Sequence, residues 1–107
     1  MPRHVSEDVQ SVSAVDRLLH EPARLLIAAT LYPLEESDFL YLVRETALTK
    51  GNLSSHLAKL ELAGYVEIEK TYRGKVPLTL CRLTKVGRAA FDTYRDQLRR
   101  VAKGLPE

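Results

Sequence analysis

The apolar pattern of this chain changes period at a single glycine. Before Gly64, Leu53, Leu57 and Leu60 recur at i, i+4 and i+7, the spacing that gathers side chains on one face of a helix. After it, Val66 and Ile68 alternate with Glu67 and Glu69, and Lys70, Thr71 and Tyr72 continue the run, which reads as a strand from Tyr65 with Val66 and Ile68 inward. Glycine takes the left-handed cap geometry without steric cost, so Gly64 is where the helix is expected to end.

The remaining elements follow from local chemistry. Arg73, Gly74 and Lys75 form a turn, and residues 76–83 supply a second strand. Pro77 should lie at that strand's start or on an edge, because it cannot donate to the ladder. Upstream, Thr49 caps the helix that starts at Lys50 and runs to about Ala63. Ser37 is expected to cap a helix beginning at Asp38, with Phe39, Leu40, Leu42, Val43 and Ala47 buried and an end near Thr46. Leu48 then plugs a short turn. Glu21 and Pro22 open an earlier helix that stops before Pro33. Val5, Val9, Val12, Val15 and Leu19 are spaced for a first helix. Thr84 caps a last one from Lys85, with Ala90 or Phe91, Tyr94, Leu98, Val101 and Leu105 in its seam.

This order of elements is that of a winged helix. The expected fold class is mainly α with a two-stranded β-hairpin, a winged helix-turn-helix with terminal dimerisation helices. At 107 residues the chain suits one domain, divided into an N-terminal helix (1–20), a winged-helix core (21–84) and a C-terminal helix (85–107).

A net charge of +2 hides an uneven distribution. Residues 1–48 carry eight acids and four bases, whereas residues 49–91 carry three acids and eight bases. Gathered lysines and arginines displace counterions from a phosphate backbone. The helix from Lys50 concentrates the signal. With its leucines buried, Gly51, Asn52, Ser55 and Lys59 lie on or near the opposite face, which has no acid from residue 50 to residue 60. A solvated helix face more often pairs glutamate with lysine. Short polar side chains let a helix enter a major groove, where Asn52 can pair an adenine edge and Ser54, Ser55 and His56 lie on or beside the reading face. Lys50 and Lys59 suit phosphate or guanine, and Thr49 with the free amides of the first turn can hold a phosphate. At the hairpin, Tyr72, Arg73, Gly74 and Lys75 are placed for backbone or minor-groove contact.

Other functions find little support. There is no phosphate-cradling glycine loop and no nucleophile with a base at catalytic spacing, so no enzyme is expected. Cys81 is alone, and His4, His20 and His56 lack ligand spacing, so neither a metal nor another cofactor is expected. No apolar run suits a membrane span or a secretory signal, which points to the cytoplasm. The rival reading is a protein docking module without DNA binding, but such a surface should be more apolar or acidic.

The segment TKGNLSSHLAKLELAGYV, residues 49–66, together with the wing and the start of the last helix at Leu83, Thr84, Gly87 and Arg88, resembles winged-helix transcriptional regulators related to the MarR and ArsR groups, in particular a small single-domain family close to them. The resemblance covers about residues 24–94. It implies that the helix from Lys50 reads the major groove of double-stranded DNA, that the wing touches the minor groove or backbone, and that terminal helices build a homodimer. The seams offered for dimerisation are Val5, Val9, Val12 and Leu19 at one end and Phe91, Tyr94, Leu98 and Val101 at the other. The alternative is that the two termini pack on one another within the chain. No convergent polar set marks a site for a small-molecule effector.

Overall fold

The computed structural model describes residues 15–106. Within them, four helices, α1 (Pro22–Leu31), α2 (Phe39–Thr46), α3 (Lys50–Leu62) and α4 (Lys85–Gly104), pack with strands β1 (Ser37–Asp38), β2 (Val66–Arg73) and β3 (Val76–Leu83). The strands form an antiparallel sheet in the order β1-β3-β2. The hairpin is therefore part of a three-stranded sheet and not an isolated two-stranded unit.

Each helix begins on a side-chain cap that accepts a free backbone amide. The Glu21 carboxylate takes the Arg24 amide at 2.8 Å, with Pro22 in the first turn. Thr49 takes Asn52 at 3.1 Å, and Thr84 takes Gly87 at 2.9 Å. The expected cap of α2 is corrected from Ser37 to Asp38, whose carboxylate accepts from Tyr41 at 2.7 Å. Ser37 instead pairs with Cys81 as β1 and is buried, so its backbone joins the sheet. The buried face of α2 is also narrower than expected. Leu42 is buried and Phe39 and Val43 are half-buried, but Leu40 is exposed, and so is Ala47, which ends the helix at φ 57.

The expected N-terminal helix does not reach Leu19. Residues 15–21 form turns, because the Asp16 carboxylate accepts from the amides of Leu18 (2.8 Å) and Leu19 (3.1 Å) and so competes with helical bonding. Val5, Val9 and Val12 lie outside the described residues.

β2 and β3 pair in full register from Val66 with Leu83 to Arg73 with Val76, leaving a two-residue turn. Gly74 supplies the positive φ of 64 at the first turn position, the geometry of a tight hairpin. Pro77 is tolerated because β1 covers β3 only at Leu80 and Cys81, so that edge of β3 is open at Pro77. The core joins Leu19, Ile27, Ala28 and Leu31 to Leu42, the three α3 leucines, Val66, Cys81, Phe91 and Tyr94. Gly64 stands at φ 79, where the helix period gives way to the strand period. No helix among the described residues is long and apolar enough to cross a membrane.

Candidate nucleic-acid interface

The leucine stripe decides which face of α3 meets solvent. Leu53, Leu57 and Leu60 are at most 1 % exposed, so rotation about the helix axis is settled by burial. Lys50, Gly51, Asn52, Ser54, Ser55 and Lys59 are all exposed, as is the capping Thr49. At the hairpin, Tyr72, Arg73, Gly74 and Lys75 are exposed as well, with the Tyr72 ring largely in solvent. The polar surface expected from the sequence thus occurs on two separate elements, a helix and a turn.

His56 departs from this group. Its side chain is 21 % exposed, and its Nδ1 accepts from the Arg24 guanidinium at 3.2 Å. The Glu21 carboxylate stands 3.7 Å from the same nitrogen. An Nδ1 that accepts leaves the ring proton of the neutral imidazole on Nε2. Arg24 also donates through Nε to the Leu18 carbonyl at 2.7 Å, so one well-covered guanidinium ties α3, α1 and the preceding turn together. The amide of Arg24 holds the Glu21 carboxyl below the usual carboxylate range against a smaller opposing effect of burial, with the Ala23 amide and the Arg24 charge acting in the same direction as the Arg24 amide. Glu21 and Arg24 are neighbours in the first turn of α1, but nothing in the spacing announces His56 beside them, since it reaches them only through helix packing.

The structure also divides the basic half of the chain. Arg82 is engaged by Glu69 (2.7 Å), Glu36 (2.9 Å) and Glu67 (3.3 Å) across the outer sheet face. Arg88 donates to the Tyr32 carbonyl at 2.7 Å and lies over the Tyr32 ring, closing the end of α1. These two bases are structural. Lys50, Lys59, Lys70, Arg73 and Lys75 remain exposed on the helix and the hairpin. Two acids of the same half, Glu67 and Glu69, are drawn to Arg82 and away from them.

Of the residues assigned to dimerisation, Leu19, Phe91 and Tyr94 are consumed inside the chain's own core. Asp16 and His20 bond to α4 through Gln97 (3.2 Å) and Tyr94 (3.0 Å), so this turn packs on the last helix within one chain. Leu98 and Val101 are half-buried, and Leu105 is 61 % exposed just beyond the helix.

A family described as winged helix DNA-binding domain matches residues 23–102. An uncharacterized protein of Methanocaldococcus jannaschii is 38% identical over 90 residues, which is 83% of this chain and 97% of that protein. The transcriptional regulator homologue of Pyrococcus horikoshii OT3 superposes with a TM-score of 0.84 at 28% identity, covering 95% of this chain and 100% of that one. A MarR family transcriptional regulator from Silicibacter pomeroyi shares the fold at a TM-score of 0.64 and 20% identity, over 90% of this chain and 64% of that one.

Proposed function

The chain belongs to the winged helix DNA-binding domain family, and on that premise we propose that it is a sequence-specific, homodimeric transcriptional regulator of the cytoplasm, with residues 1–107 acting as one domain. Helix α3 enters the major groove. Asn52 reads an adenine edge, Ser54 and Ser55 approach bases or phosphates, and Gly51 leaves room for close approach. Lys50, Lys59 and the Thr49-capped helix start hold phosphates. His56 sits at the flank of this surface, and Tyr72, Arg73, Gly74 and Lys75 bring the wing to the backbone or minor groove.

The observation that carries this reading is the face of α3: three buried leucines on one side, and on the other exposed small polar and basic residues with no acid between residues 50 and 60. A protein docking surface would expose apolar anchors there. The family and fold are those of regulators and not of enzymes. The second copy is proposed to pack along the distal part of α4, around Leu98 and Val101, joined by the segment bearing Val5, Val9 and Val12.

The test is a mobility shift on genomic fragments over a range of salt. Binding that weakens steeply with salt and selects particular fragments is the expected result. A folded protein that binds no duplex at low salt overturns the proposal in favour of the docking module.

A further inference from the structure

One nitrogen on α3 faces two groups of opposite sign. His56 Nδ1 lies 3.2 Å from the Arg24 guanidinium and 3.7 Å from the Glu21 carboxylate, both at the start of α1. A guanidinium only donates, so Nδ1 accepts from Arg24 while the ring is neutral. Once the ring is protonated, Nδ1 only donates, and the carboxylate is the acceptor already beside it. Arg24 does not depend on the imidazole, because its Nε donates to the Leu18 carbonyl at 2.7 Å and the Glu21 carboxylate stands 3.9 Å from its Nη1. Both partners of this exchange belong to the start of α1, so α3 stays tied to the same place in either state. From α2 and β2, which also pack on α3, no charged side chain among the described residues pairs with His56. On α3 itself the nearest charge in sequence is the exposed Lys59.

Histidine ordinarily changes charge between about pH 5 and 8. Across that window Arg24 stays charged, and so does Glu21, which the Arg24 amide holds below the usual carboxylate range. The three side chains together therefore pass from neutral to one positive charge as the pH falls. That change occurs beside the proposed DNA surface, since His56 is four residues from Asn52 and three from Lys59 on one helix. Such neighbours have Cβ atoms about 5–6 Å apart, well inside the Debye length of about 10 Å at 0.1 M salt.

We propose that Glu21, Arg24 and His56 form a proton-operated charge switch, in which protonation passes the His56 Nδ1 hydrogen bond from Arg24 to Glu21 and tightens DNA binding at acid pH. The inference rests on the DNA-binding reading above and adds a regulation to it. A polyanion favours the imidazolium, so the protein takes up a proton as it binds and, by linkage, affinity rises as the pH falls. Glu21 is what makes the charged state tolerable. Without it, the imidazolium would face the Arg24 guanidinium alone.

The measurement is affinity for one selected duplex, read by fluorescence anisotropy at about pH 8 and pH 5.5 and at equal low ionic strength. Wild type should bind about fivefold more tightly at the lower pH. His56→Asn, whose amide oxygen can still accept from Arg24 but takes up no proton, should bind alike at both. Glu21→Gln keeps an oxygen for the Arg24 amide and should lose most of the gain. His20→Gln should retain it, since His20 bonds to Tyr94 and not to this cluster. Calorimetric titration of wild type in two buffers of different ionisation enthalpy should show net proton uptake, a readout that needs no variant. Wild-type binding equal at the two pH values, or a His56→Asn protein that keeps the wild-type gain, overturns the switch and leaves DNA binding intact. A folded wild type that binds no duplex at either pH overturns the DNA-binding reading, and the switch with it.

Discussion

A Cβ placed on Gly87 would stand 2.0 Å from the Tyr65 carbonyl oxygen, so the first turn of α4 lies directly against the backbone that leads into β2. The obstacle is main chain and cannot swing aside as a side-chain tip would. Gly87→Ala should therefore destabilise the fold by about 3 kcal/mol, read as a lower urea midpoint at an unchanged slope. A midpoint equal to wild type would show that the two elements separate without cost. The glycine and the arginine that follows it stand out in the sequence, but their purpose does not. One admits a backbone and the other, Arg88, closes α1 on Tyr32. Tyr65 contributes at the same junction, donating to Asp16 at 2.7 Å. Burial, then that hydrogen bond, push its phenol from 10.0 up to about 12. The folded value lies above the unfolded one, so the neutral phenol stabilises fully below pH 10 and its contribution is lost as the pH rises towards 12. Tyr65→Phe should flatten the fall in melting temperature across that window. A wild-type slope in the variant would remove Tyr65 from the alkaline transition.

Among the elements, α3 is the most legible in sequence. Its cap, its leucines and its terminating glycine are all local signals, and they put Asn52 and Lys59 on the exposed side. These two residues make opposite predictions. Lys59→Ala should weaken binding to all sequences alike and reduce the salt slope by about 1, whereas Asn52→Ala should relax preference at one base position and leave the slope alone. Selection of binding sites from a random pool separates them, and an Asn52→Ala protein with unaltered preference would mean that α3 is turned otherwise in the groove. β1 is the opposite case. Two residues offer no period to detect, and Ser37 and Asp38 are both good caps, so only the pairing of Ser37 with Cys81 decides between them. Leu40 misled for a related reason: at helical spacing it fits the apolar stripe, yet in the structure it faces a groove beside the wing.

At the scale of the molecule, packing sorts the charges and the apolar seams. The glutamates around Arg82 occupy the outer sheet face, while the bases of α3 and the hairpin, without an acid partner among the described residues, are left exposed. The last helix divides similarly. Its first half supplies Phe91 and Tyr94 to the core, and its distal half keeps Val101 half-buried. Val101→Glu should therefore leave the monomer folded and shift a dimer towards monomer by on the order of tenfold or more in dissociation constant, measured by sedimentation equilibrium. An unchanged mass would place the dimer contact elsewhere.

Sequence alone determined whatever depends on near neighbours: the period change at Gly64, the caps at Thr49 and Thr84, the tight turn at Gly74 and the polar face of α3. These are properties of backbone preference and side-chain spacing within one or two turns of chain. Only the tertiary structure decided that Arg82 and Arg88 are spent on internal partners, that His56 is held by Arg24, and that Leu19, Phe91 and Tyr94 fill the chain's own core. A charge or an apolar surface acquires its role from what lies opposite it, and those partners are brought into contact from distant parts of the chain only when the helices close on the sheet.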